Sequence, residues 1–162
     1  MPSFPTLHPA FKSVSSDGST YRSPVILYQP NTVGIYLDRC RVEYVPELLG
    51  PYMNLSYSQR WRLLGYRIAV SMAFSFLDAT AFSGLSVLRT FYTDGLSSES
   101  YAKLQFSMWY PDTPDWIGIR PTGSFSPRPA QDRQGSGWQL ELAFESVDLR
   151  ATVGDWNSKG LI

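Results

Sequence analysis

Two glutamates four positions apart, Glu141 and Glu145, are the pair that most invites a chemical reading. They sit in Trp138-Gln139-Leu140-Glu141-Leu142-Ala143-Phe144-Glu145, where large apolar residues take every second position. On a strand such residues share a face, and two periods separate the carboxyls by roughly 13 Å. Glycosidase pairs lie within about 9.5 Å. Charged residues on a wet sheet face are therefore the reading that fits.

The other reactive types fare no better. His8 is the single histidine, and it lies in a Pro/Ser-rich stretch that offers no ordered partner for metal or general-base work. Cys40 is alone, which rules out a disulfide framework or thiolate cluster within the chain, and it reads as a small buried hydrophobe. Trp109, Trp116, Trp138 and Trp156 raise the alternative of a carbohydrate-binding β-sandwich that stacks sugars on exposed rings. Trp138, however, alternates with the core set, which favours core or subunit contact. Arg120, Arg128 and Arg133 flank or punctuate a Pro/Gly stretch and could touch phosphate, but Asp132 and the overall charge dilute that. No Gly-rich phosphate loop, His-Glu-x-x-His motif or nucleophile elbow is present. The expectation is a protein that is not an enzyme and uses no cofactor or metal.

The elements that would carry these residues are mostly strands. From Tyr66 to Leu77 large residues alternate with Arg67, Ala69, Ser71, Ala73 and Ser75, the period of a half-buried strand. A helix over about 78–93 follows. Asp78 or Thr80 would cap it, and Phe82, Leu85, Leu88, Phe91 and Tyr92 form its stripe, with Gly95 as the stop. Ala102 to Tyr110, Trp116 to Arg120 and Trp138 to Leu149 read as further strands. Upstream, Val25–Tyr28 reads as a short edge strand, and Val33 to Tyr44 as a strand with an irregularity near Arg39–Cys40. Pro46 to Asn54 reads as a loop or helical turn. Tyr57 to Leu64 alternates loosely and runs into the Tyr66 strand through Gly65, a possible bulge. Residues 1–23 read as a flexible arm, 24–149 as one β-sandwich domain, and 150–162 as a tail. Residues 121–137 read as a long mobile loop.

The totals agree. A chain of 162 residues can bury a real core in one domain. Fourteen basic and fourteen acidic residues cancel, which argues against a dedicated nucleic-acid or anionic-membrane binder. Aromatic residues reach 15% against 17% charged, a balance suited to a surface partly covered by partners. No signal-peptide pattern and no apolar run long enough to span a membrane is visible.

The order of long strands, one flanking helix, a Pro/Gly loop and a terminal long strand resembles the tail-tube and distal-tail protein family of long-tailed bacteriophages. The likeness rests on Tyr66-Arg67-Ile68-Ala69-Val70-Ser71-Met72, the Asp78–Thr93 helix and the Trp138–Glu145 run. It implies a mainly β fold, a two-sheet β-sandwich or split barrel with one flanking α-helix. It also implies a virion tail protein, made in the host cytoplasm, that forms a ring, usually of six copies. The ring would be tube, distal-tail or tail-completion, with neighbouring tail proteins as partners, DNA as passing cargo and no membrane insertion. On that reading Gln139, Glu141 and Glu145 would face the channel. Arg120, Arg128, Arg133, Trp156, Leu161 and Ile162 would make contacts between subunits or rings.

Overall fold

A computed structural model of the chain describes residues 8–15, 17–27, 36–53, 55–76, 82–98, 103–110, 116–129 and 138–157. Its elements, in order, are β1 (His8–Val14), β2 (Tyr21–Ile26), β3 (Tyr36–Met53), β4 (Gln59–Phe76), α1 (Phe82–Leu96), β5 (Leu104–Tyr110), β6 (Ile117–Pro121), β7 (Arg128–Pro129), β8 (Trp138–Ser146) and α2 (Val153–Asn157). The fold is mainly β with a flanking helix, as expected. Every strand pair is antiparallel.

The strands form one hydrogen-bonded sheet, ordered β2-β1-β5-β6-β8-β4-β3 with β7 beside β8, instead of two separate sheets. That sheet curls over its own core. Phe11 on β1 and Phe144 on β8 stand three strands apart along the path, about 14 Å in a flat sheet. Their ring centroids are nonetheless 5.4 Å apart. Cys40 on β3 likewise reaches Met108 on β5, with the sulfurs 3.9 Å apart.

The period-two pattern of β4 is realised as expected: Ile68, Val70, Met72 and Phe74 are buried. They meet Leu140, Leu142 and Phe144 of β8, which pairs with β4 from Ala69↔Glu145 to Phe76↔Trp138. Helix α1 lays Leu88 and Phe91 on this core, Phe91 standing 5.6 Å from Phe11. Gly95 does not end the helix. It permits close packing, since a Cβ there would lie 2.9 Å from both Leu104 and Pro121. Asp78 and Thr80, the expected caps, lie outside the described residues.

Three stretches depart from the sequence reading. Residues 8–23, expected within the flexible arm, supply β1 and the start of β2, and β1 is paired on both edges, with β2 and β5. Asp17 and Gly18 turn the chain between them. Ser15 and Ser19 donate to the Asp17 carboxylate and hold it well below the usual carboxylate range, and Gly18 takes φ +77°. Asp94 in the last turn of α1 then pins the pair, accepting from Ser13 Oγ at 2.6 Å and Arg22 Nε at 2.7 Å. Pro46 to Met53, expected as a loop, continues β3. Edge strands tolerate proline, which forfeits a ladder donor only where the N–H faces a neighbour. Residues 122–129, expected within a mobile loop, are anchored: Thr122 N–H donates to Ala143 and Tyr92 Oη to the Gly123 carbonyl, while Phe125 packs on Tyr92.

Candidate assembly surface

The β3–β4 hairpin is far longer than the sheet that supports it. Beyond Ala69↔Glu145, β4 has left β8, yet β3 and β4 stay paired out to Met53↔Gln59. From Pro46↔Tyr66 outward the two strands therefore form a bare ribbon, roughly 23 Å long at about 3.3 Å per residue. Gly65 sits at its root with φ +150°, where the register shifts between Glu47 and Leu48, so the bulge read from the sequence is present.

This arm is apolar where it meets water. Ten of the fourteen exposed large hydrophobic residues described fall between Val45 and Leu64, including Leu55 at 101% and Tyr57 at 86% exposure. Alternation along β4 puts Trp61 and Leu63 on one face, with Leu48 beside Leu63 by pairing. Arg60 and Arg62 take the other face, beside Tyr52 and Leu49. One face is thus greasy and the other mixes arginine with apolar groups. At half-exposure and roughly 150–200 Å² per large side chain, the arm presents on the order of 800–1,000 Å² of apolar surface. That total is shared between the two faces and the tip of the ribbon, whereas the 300–600 Å² of a monomer's largest patch is contiguous.

The root is fixed by the segment after β8. Ile68 N–H, at the end of the β8 ladder, donates to Ser146 Oγ at 3.0 Å. Arg67 donates to the carbonyls of Ser146 and Val147, each at 3.0 Å, and pairs with Glu47. Tyr66 forms an isolated bridge with Arg150, N–H to carbonyl at 2.7 and 3.0 Å in the two directions. Its carbonyl also accepts from Trp156 Nε1 at 2.9 Å.

The expected site residues distribute as follows. Gln139, Glu141 and Glu145 do share the outward face of β8, but the face is not an acidic strip. Glu145 is paired with Arg120 at 2.6 Å and Glu141 with Arg128 at 3.7 Å. Glu43 on β3 is likewise paired with Arg41 at 2.5 Å. Ala69, Ser71 and Ala73 of β4 separate the two charged strands, leaving a shallow, charge-balanced surface. Arg120 and Arg128 are thus engaged within the chain, and Arg133, Leu161 and Ile162 lie outside the described residues. Trp156 corrects its expectation: it is 1% exposed and packs into its own core rather than on a neighbour. The arm carries the strongest contact surface; its β4 half shows in the sequence as the alternation from Tyr57 to Leu64, whereas its β3 half, Pro46 to Met53, reads as loop or turn.

Among the described residues the geometry brings together no sugar platform and no reactive centre. Trp138 is exposed, Trp156 is buried, and Trp116 lies half-buried against Tyr110 and under the Lys12 ammonium. Trp61, which is also exposed, is fifteen residues along β4 from the partner of Trp138, about 50 Å away. Burial pushes the Cys40 thiol up to about 12, the opposite of an activated nucleophile. Among the described residues no group of three or more His, Cys, Asp or Glu is placed to hold a metal, and no helix is long and apolar enough to cross a membrane.

No family model matches the chain, and no curated protein matches it. Among solved structures, a chain of one described as "Tail of empty GTA particle computed with helical refinement, C6 symmetry" is similar at 14% identity, with a TM-score of 0.38, over 89% of this chain and 95% of that one.

Proposed function

We propose that this protein is a non-catalytic structural subunit that self-associates into a closed ring, a virion tail component of the tube, distal-tail or completion type. The observation that carries the reading is the β3–β4 arm. Its large apolar side chains reach the roughly 800 Å² per partner of a stable interface only when both faces are covered, and a second copy of the chain is the occupant that a ring supplies to every subunit. The sheet supports the same reading, because β2 and β3 end it on either side and no described strand covers their outer edges. Open edges invite edge-to-edge pairing, and closure into a ring removes them. A hexamer with DNA as passing cargo is the proposed form, with neighbouring tail proteins at the ring's faces. Gln139, Glu141 and Glu145 are the proposed channel-facing residues. Their arginine partners make that surface nearly neutral, so a duplex would be neither gripped nor strongly repelled.

The test is the mass of the purified full-length chain by sedimentation and negative-stain imaging. Rings are expected for the native chain, and a folded monomer for Leu48→Ser/Trp61→Ser/Leu63→Ser. A native chain that stays monomeric at high concentration overturns the proposal, as does a triple variant that assembles unchanged. Binding of the native chain to lipid vesicles without self-association would assign the arm to a membrane surface instead.

A further inference from the structure

Arg150 and Trp156 belong to neither the arm nor the charged sheet face, yet both act on one residue, Tyr66, at the arm's root. A two-stranded ribbon is marginal by itself in water, and this one leaves the sheet at a bulge beside a glycine. Something must fix its direction. The three residues that could pivot, Tyr66, Arg67 and Ile68, are all hydrogen-bonded to the segment 146–156.

That segment is built to be held still. Thr152 and Asp155 cap α2 reciprocally, Thr152 N–H donating to Asp155 Oδ2 at 3.1 Å and Asp155 N–H to Thr152 Oγ1 at 3.2 Å. The short helix thereby presents Trp156 to the core with its indole N–H aimed at the Tyr66 carbonyl. The Arg150 guanidinium lies over the Trp156 ring at 5.5 Å. Gly65 completes the joint, since a Cβ there would come within 2.7 Å of the Arg150 carbonyl.

We propose that the segment Ser146–Trp156 is a clamp that sets the direction of the β3–β4 arm, with Arg150 and Trp156 as positioning residues for docking. The inference rests on the arm being the docking element. A directed arm gives up little orientational freedom on association, so the clamp raises affinity without touching the partner. Loosening it leaves the apolar contacts intact but releases them from the geometry in which neighbouring copies meet.

Two full-length variants test this by amide hydrogen exchange and sedimentation on the same samples. Trp156→Phe retains an aromatic side chain, smaller than the indole, and removes the donor. Thr152→Ala/Asp155→Ala removes the capping pair at exposed positions and leaves the core untouched. Each should speed exchange of the arm amides at 48–53 and 59–66 by about tenfold, with the β4 and β8 amides of the core unchanged. The concentration needed for ring formation should rise by a similar factor. Arm exchange as slow as in the native chain in both variants overturns the clamp. A released arm with native assembly overturns its positioning role. If Trp156→Phe does not fold, the capping variant alone decides. If the Leu48/Trp61/Leu63 serine variant assembles normally, the docking reading fails, while the exchange result still judges the clamp.

Discussion

The two halves of the β3–β4 hairpin share one backbone arrangement and have opposite fates. In the inner half, Val70, Met72 and Phe74 alternate with Ser71, Ala73 and Ser75, and the apolar face is sealed by β8 and the curled sheet. In the outer half, Trp61 and Leu63 alternate with Arg60 and Arg62, and nothing in the described chain covers either face. Alternation marks which residues share a face; it does not say what lies over that face. In the inner half the cover is the chain itself. In the outer half no described residue supplies it, and on the proposed reading a second copy of the chain does.

The sharpest way to break this comparison is to truncate one aromatic in each half. Phe74→Ala should cost about 3–5 kcal/mol of stability, because the buried ring leaves a cavity that a close-packed core cannot refill. Trp61→Ala should change the stability of the unassembled chain by about 1 kcal/mol or less, since more than half of that residue is already in water. Denaturant titration below the assembly concentration reads both. Equal losses would mean that the arm folds back on the body in solution.

A second substitution probes the polar side of the body. Asp94 is buried where α1 meets β1 and β2, and it accepts from Ser13 and Arg22. Asp94→Ala strands the Ser13 hydroxyl without a partner and removes a charge-assisted bond. Arg22 stays about one-third exposed and can rehydrate, so about 2–3 kcal/mol is the expected loss, below that of a fully buried pair. The arm offers no counterpart: Arg62→Ala should be close to neutral for stability. A neutral Asp94→Ala would show that helix and hairpin are held by packing alone.

The charged face should respond more weakly still. Glu145→Lys replaces the Arg120 partner with a like charge, at an expected cost of about 1 kcal/mol or less, because such exposed pairs contribute little. Assembly should persist. With the Glu141 change added, rings should begin to bind DNA at low salt and release it as salt rises. Rings that never bind DNA would place this face away from the channel.

What the sequence disclosed follows the same division. Strands β4 and β8 and the stripe of α1 were legible because one face is covered and one is wet, which writes a clean period. Strand β1 was not. Ala10, Phe11 and Ser13 are all buried and Lys12 is half-buried, so no alternation survives in its composition. The distal half of β3 was hidden by Pro46, Gly50 and Pro51, which read as loop although an edge strand accommodates them. Trp156 looked like a surface anchor because nothing in residues 150–162 shows that Tyr66, ninety positions away, receives its N–H.

The smallest effect compares two thiols. Cys40 lies on the inner half of β3, and burial holds its thiol protonated up to about 12, whereas an unfolded thiol titrates near 8.5. A thiol whose folded pKa is raised leaves stability untouched below the unfolded value. As pH climbs from about 8.5 toward 12 the unfolded chain loses its proton first, so it binds fewer protons and stability falls. Lysines and tyrosines titrate in the same range, so the signal is the difference between the native chain and Cys40→Ala. That difference should be flat at pH 7–8 and reach about 1 kcal/mol near pH 9. The same contrast appears in rate. At pH 8 Cys40 should react with a thiol reagent far more slowly than a cysteine placed at the arm's tip by Leu55→Cys in the Cys40→Ala background. Assembly should then shield the Leu55→Cys thiol and leave Cys40 in the native chain unaffected. If both thiols react alike in the unassembled protein, the inner half of β3 is not covered, and the contrast between the two halves of the hairpin fails.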